Sequence, residues 1–124
     1  MKIIILTPRV PEILDKGDKL RIFHQIKYLS ISNEIHLISL SSNKNKKLNK
    51  ELEKYVTSFH IITTSKKKRL LNLIYYTITK KLPLQVSYYF SQKNKEKINQ
   101  IITNLKPDYI FCQLIRTAEY IKDR

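Results

Sequence analysis

Short β-branched apolar runs alternate along this chain with longer stretches in which apolar residues recur every three or four positions. Ile3-Ile4-Ile5-Leu6 is an unbroken apolar run closed by Pro8, the pattern of a strand over residues 2–7 buried on both faces. Ile22, Phe23, Ile26 and Leu29 recur at helical spacing and predict a helix over about residues 19–31, with Asp18 as its N-cap. Residues 34–40 alternate partly and read as a second strand, and residues 43–55, polar and lysine-rich, as an exposed helix. A third strand follows over residues 58–64. Leu70, Leu71, Ile74, Tyr75 and Ile78 mark a helix over residues 66–81, stopped by Pro83. Residues 84–90 fit either a short strand or an extended loop. Ile98, Ile101, Ile102 and Leu105 predict a helix over residues 92–105, ended by Lys106-Pro107-Asp108. Residues 108–113 then form a fourth strand, and residues 116–124 begin another helix.

Strands that alternate with helices predict an α/β domain with a mostly parallel sheet and helices on both faces. Right-handed crossovers from strand 1 to 2 and from 2 to 3 build one wing. The fourth strand then pairs on the other side of strand 1. The expected fold is a Rossmann-like doubly wound parallel sheet of order 3-2-1-4. Its topological switch point lies between strands 1 and 4, where ligands bind beyond the carboxyl ends. Residues 8–18 and 113–117 flank that point. The first of these loops is longer than the usual ~2–6 residues of such a connection, which favours a functional role. Doubly wound domains usually continue past a fourth strand. The expectation is therefore a domain truncated there, either because the C-terminal part of a larger protein is missing or because the reading frame is cut short.

Composition narrows the partners. The chain has 124 residues, enough for one domain with a modest core, and a net charge of +14. That charge suits an acidic partner such as nucleic acid, an anionic membrane or a phosphorylated ligand. It also suits solvated helix faces in a sequence rich in Lys, Ile and Asn. Cys112 is the only cysteine, so no disulfide or thiolate metal site forms within one chain, which fits a reducing cytoplasm. No stretch approaches the ~18 apolar residues of a membrane span. Ile3 to Leu6 is too short for the apolar core of a signal peptide.

One glycine in the whole chain excludes a G-x-G-x-x-G fingerprint and a Walker A loop. Thr7-Pro8-Arg9 after strand 1 argues against a phosphorelay receiver, which needs acidic residues there. His24, His36 and His60 lack metal-ligand spacing, and His36 and His60 read as core or edge histidines. Gly17 stands where a helix begins. It can take a positive φ and let backbone approach a phosphate, with Lys16, Lys19 and Arg21 adding positive charge, or it can simply make the turn. Arg9 and Arg116 each follow a strand on either side of the switch point and together could hold a phosphate or carboxylate. The helix over residues 66–81 has basic ends and two tyrosines. A core helix with a wide apolar face is the simpler account, and an interfacial helix on an anionic membrane is the alternative.

The strand Ile3-Ile4-Ile5-Leu6-Thr7, the run Pro8-Arg9-Val10-Pro11 and the run Asp15-Lys16-Gly17-Asp18-Lys19-Leu20-Arg21 resemble the N-terminal domain of GT-B glycosyltransferases of family 4. The resemblance is closest to bacterial enzymes of polysaccharide synthesis. It continues through Phe23 to Leu29, Asn33 to Leu40, Leu82 to Tyr89 and Lys106 to Ile110. It implies an acceptor-side domain over residues 1–124 that faces a donor-binding domain across a cleft. The implied reaction moves a sugar from a nucleotide-sugar donor to a saccharide or lipid-linked acceptor. The resemblance implies no cofactor, because transfer in this family is metal-independent; the sequence carries no nucleic-acid-binding motif, so no nucleic-acid partner is expected. It implies a cytoplasmic location, with peripheral contact at the inner face of the membrane left open. By resemblance, Gly17, with Lys16 and Asp18 beside it, would reach the donor diphosphate; the charge and strand-end readings add Arg21, Arg9 and Arg116 to the candidate anion-binding set. Nothing in the chain corresponds to the donor domain or its paired glutamates, so the chain alone is expected to be inactive. Gln113-Leu114-Ile115-Arg116 stands where many relatives carry a histidine, so no catalytic base is assigned. A basic binding module for membrane or nucleic acid, or a non-functional truncated product, are the alternatives.

Overall fold

The computed structural model describes residues 1–12, 17–43, 45–81, 91–113 and 120–121, and the backbone alone of Asp18. The elements run β1 (Lys2–Thr7), α1 (Gly17–Leu29), β2 (Glu34–Ser41), α2 (Lys50–Glu53), β3 (Ser58–Thr63), α3 (Lys66–Thr79), α4 (Gln92–Leu105) and β4 (Tyr109–Cys112). The four strands form one sheet of order β3-β2-β1-β4, and every pairing is parallel. This is the Rossmann-like order that the alternation of strands and helices predicts.

Strand periodicity sorts the side chains into two cores. Ile3, Ile5, Ile35 and Leu37 pack on one face with Ile22 and Ile26 of α1 and with Leu48 and Leu52 at α2. Ile4, Leu6, Ile38, Leu40 and Ile62 pack on the other with Tyr76, Ile98, Ile102 and Tyr120. β1 is central and its apolar run is buried on both sides, as an all-parallel sheet requires. Asp108 fastens β4 to β1. Its carboxylate accepts from the Lys2 backbone N–H at 2.8 Å, and its own N–H donates to the Lys2 carbonyl at 2.8 Å. Lys106 adopts a left-handed conformation (φ 51°) that ends α4 just before this clamp.

Three expectations are corrected. α1 begins at Gly17, so Asp18 lies inside the helix rather than capping it. The helix ends at Leu29, whose carbonyl accepts from Asn33 Nδ2 at 2.9 Å. The polar stretch 43–55 is not one exposed helix. Asn43 and Asn45 spend their bonding on local turns: Asn43 Oδ1 accepts from the Asn45 N–H at 2.8 Å, and Ser41 Oγ from the Asn43 N–H at 3.0 Å. Among the described residues of this stretch only Lys50–Glu53 is helical, capped by Asn49, and Leu48 and Leu52 are buried. The third correction concerns α3. Its apolar set faces outward: Leu70, Leu71, Ile74, Tyr75 and Ile78 are 55 to 71 % exposed, while Arg69 and Tyr76 are buried.

Residues 84–90 lie outside the described residues, as does the expected C-terminal helix apart from Tyr120 and Ile121. Among the described residues no helix is long and apolar enough to cross a membrane.

Candidate anion-binding site

The carboxyl ends of β1 and β2 are stitched together by hydroxyls. Thr7 Oγ1 donates to the Arg9 carbonyl at 3.0 Å. Its single proton is thereby used, so the Ser39 hydroxyl donates to Thr7 Oγ1 across the sheet at 2.6 Å. Both side chains are fully buried. The chain leaving β1 turns at Pro8 and is then held against the segment after β2. Asn49 donates from its backbone to the Pro11 carbonyl and from Nδ2 to the Glu12 carbonyl, each at 3.0 Å. Lys46 Nζ pairs with the Glu12 carboxylate at 3.3 Å.

Between these segments and α3 lies a cavity of about 210 Å³, lined by Pro8, Arg9, Val10, Lys19, Leu40, Ser41, Ser42, Lys46 and Arg69. Four of these residues are cationic and none is acidic, with the Lys46 ammonium already paired to the Glu12 carboxylate beside the cavity. The volume is below that of a typical small-molecule pocket (roughly 300–1,000 Å³) and suits a compact anion such as a phosphate or diphosphate. Cations lining a concave site reinforce one another's field at its centre. Arg9 and Arg69 add planar forks matched to phosphate oxygens.

Arg69 reaches this site from the inward side of α3 and is nine-tenths buried. Beside it is a polar cluster at the carboxyl end of β3. Tyr120 Oη accepts from the Ser91 N–H and Tyr76 Oη from the Gln92 N–H, each at 3.1 Å. These two bonds satisfy donors in the first turn of α4, where Ser91 makes no side-chain cap. Asn94 Nδ2 donates to Thr64 Oγ1. Burial pushes the Tyr120 phenol well above the ordinary tyrosine range, so it stays neutral.

The expected site residues divide. Arg9 and Lys19 line the cavity. Arg21 is exposed on α1 and is not among the lining residues. Gly17 opens α1 without a positive φ, and a Cβ there would meet nothing within 4 Å, so the fold itself does not demand glycine. Lys16, Arg116 and the Asp18 side chain lie outside the described residues, and with them the pairing of Arg9 with Arg116. The cavity sits over β1 and β2, whereas residues 114–117, which flank the β1–β4 crevice that strand order singles out, lie outside the described residues.

Sequence reading left Lys46 and Arg69 out of the site. A helical wheel carries a signal for Arg69: it falls opposite the apolar stripe, on the side that Tyr76 shares one or two turns later. Lys46 had no local signal.

The histidines are elsewhere. His36 is buried near the amino end of β2, its Nδ1 2.6 Å from Ser58 Oγ, and its Nε2 lies 3.6 Å from the Glu34 carboxylate. His60, partly buried on β3, has its pKa lowered by burial and by His36. No group of three metal-ligating side chains gathers among the described residues.

No protein-family model, curated protein or solved structure matches the chain.

Proposed function

We propose that this chain is the acceptor-side domain of a GT-B-type glycosyltransferase and that its cationic cavity holds the diphosphate of a nucleotide-sugar donor. The observation that carries the reading is the position of that cavity. It lies directly beyond the carboxyl end of the central strand and is walled by Arg9 and Lys19 from the segments that follow it. Breaking the bond between sugar and diphosphate leaves negative charge on the leaving phosphate. Fixed cations and helix ends stabilise that charge without a metal. Arg9 and Lys19 would supply it from this domain, while a donor-binding domain supplies the nucleotide pocket and closes the cleft. Tyr109 and Phe111, exposed on the outer strand β4, favour a further layer of structure there in the working enzyme. The acceptor is a saccharide or lipid-linked saccharide.

The test is a titration of the chain with UDP, GDP, pyrophosphate and inorganic phosphate, followed by NMR or calorimetry at low and high salt. Diphosphates should bind saturably and more tightly than phosphate. Arg9→Ala and Lys19→Ala should each weaken them by about tenfold. Sugar transfer should appear only when a donor-binding domain is supplied. Diphosphate affinity that ignores both substitutions would overturn the reading.

A further inference from the structure

α3 carries two unlike sides. At about 100° per residue, Leu70, Ile74, Ile78, Leu71 and Tyr75 fall within an arc of about 140°. All five are more than half exposed. Arg69 and Tyr76 lie on the opposite side and are buried. The helix is amphipathic, but its apolar side points away from the sheet.

Charge says what covers it. Lys66, Lys67 and Lys68 precede the stripe and Lys80 and Lys81 follow it, all exposed. The segment from Lys66 to Lys81 contains no Asp or Glu. Three lysines in the first turn sit at the positive end of the helix dipole, an unfavourable placement that nearby anions relieve. A second copy of the chain is a poor occupant. Two such helices face to face, parallel or antiparallel, set lysines against lysines, with no carboxylate on either helix to offset them. Tyr75 combines an apolar ring with a polar tip, the pattern of a side chain at a headgroup boundary. The helix is about 21 Å long, enough to lie along a bilayer and too short to cross one.

We propose that α3 is an in-plane anchor that docks the protein on an anionic lipid bilayer. The apolar stripe enters the headgroup–acyl boundary and the lysines at both ends bind lipid phosphates. This inference stands on exposure and charge and does not depend on the sugar-transfer reading. It has one structural consequence for the cavity. Arg69 projects inward from the same helix, so docking would hold the anion site roughly one helix diameter (~10–12 Å) from the membrane surface.

The experiment is co-sedimentation of the chain with vesicles of phosphatidylglycerol and phosphatidylcholine mixed, and of phosphatidylcholine alone. The chain has no tryptophan, so Tyr75→Trp supplies a single reporter whose emission should shift to the blue on docking. The chain should pellet with the anionic vesicles and release at high salt. Leu71→Glu/Ile74→Glu should weaken binding at least about tenfold. Lys66→Gln/Lys67→Gln/Lys68→Gln should weaken it by a similar factor on anionic vesicles only. The substituted positions are exposed, and circular dichroism with thermal melting checks that the variants fold. Three results would overturn the proposal. The chain could remain in the supernatant with anionic vesicles. The apolar double variant could pellet as well as the parent. Or the chain could form a dimer in solution that Leu71→Glu/Ile74→Glu dissociates, which would assign the stripe to a second copy.

Discussion

α1 and α3 carry apolar residues at the same helical spacing, yet they use them in opposite ways. Ile22 and Ile26 of α1 are fully buried against the sheet, while the stripe of α3 from Leu70 to Ile78 faces out. The difference lies in what each helix meets. α1 covers a largely apolar face built on Ile3, Ile5, Ile35 and Leu37. α3 lies beside the carboxyl end of β3, where Thr64, Asn94, Tyr120 and the cavity need polar company, and it turns Arg69 and Tyr76 toward them. An apolar stripe shows that a helix has a side to cover. It does not say whether the cover is this chain's own sheet.

The strongest way to break this comparison is a matched pair of truncations. Ile26→Ala should cost about 2–5 kcal/mol of unfolding free energy, because it opens a cavity at a fully buried site. Ile74→Ala should change it by no more than about 0.5 kcal/mol in the absence of lipid. Denaturant titration reads both, and equal losses would mean that α3 also packs its stripe inward.

Tyr120→Phe sharpens the contrast between the two faces. It removes the acceptor of the Ser91 N–H and strands that donor in a buried site. The expected loss is about 1–3 kcal/mol, whereas a phenol serving only as bulk would lose almost nothing.

The smallest effect should come from pH, again on the α3/α4 side. His60 has its folded pKa held below the ordinary 6.5 by burial and by His36. The unfolded chain therefore takes up the proton more readily. Stability should hold above the ordinary value, fall as the pH drops through it, and level off below the lowered folded value. Melting temperatures across that window should show a gentler slope in His60→Gln.

Much of the fold was legible because its rules are local. Periods of two and of three to four separated strands from helices, and the handedness of crossovers ordered the strands. The span of α4 over residues 92–105 followed from Ile98, Ile101, Ile102 and Leu105 and from the break at Lys106-Pro107. Half of the candidate site was legible in the same way, since Arg9 sits just after the end of β1 and Lys19 in the first turn of the helix that follows. Lys46 and Arg69 were not, because they come from segments distant in sequence that meet only when the sheet and α3 assemble. A lone glycine at a helix start suggested a special backbone, but its φ is not positive.

Most element types and the parallel sheet order follow from the residue pattern alone, because side-chain period is local and crossover handedness then orders the strands, although the helix expected over residues 43–55 shrinks to Lys50–Glu53. Only the assembled fold settles which side of α3 is covered and which cations share the cavity over β1 and β2. Those outcomes depend on surfaces brought together from across the chain. Hydrogen-bond satisfaction and electrostatic fields are properties of that assembled neighbourhood, and a local pattern of residues fixes burial only in part.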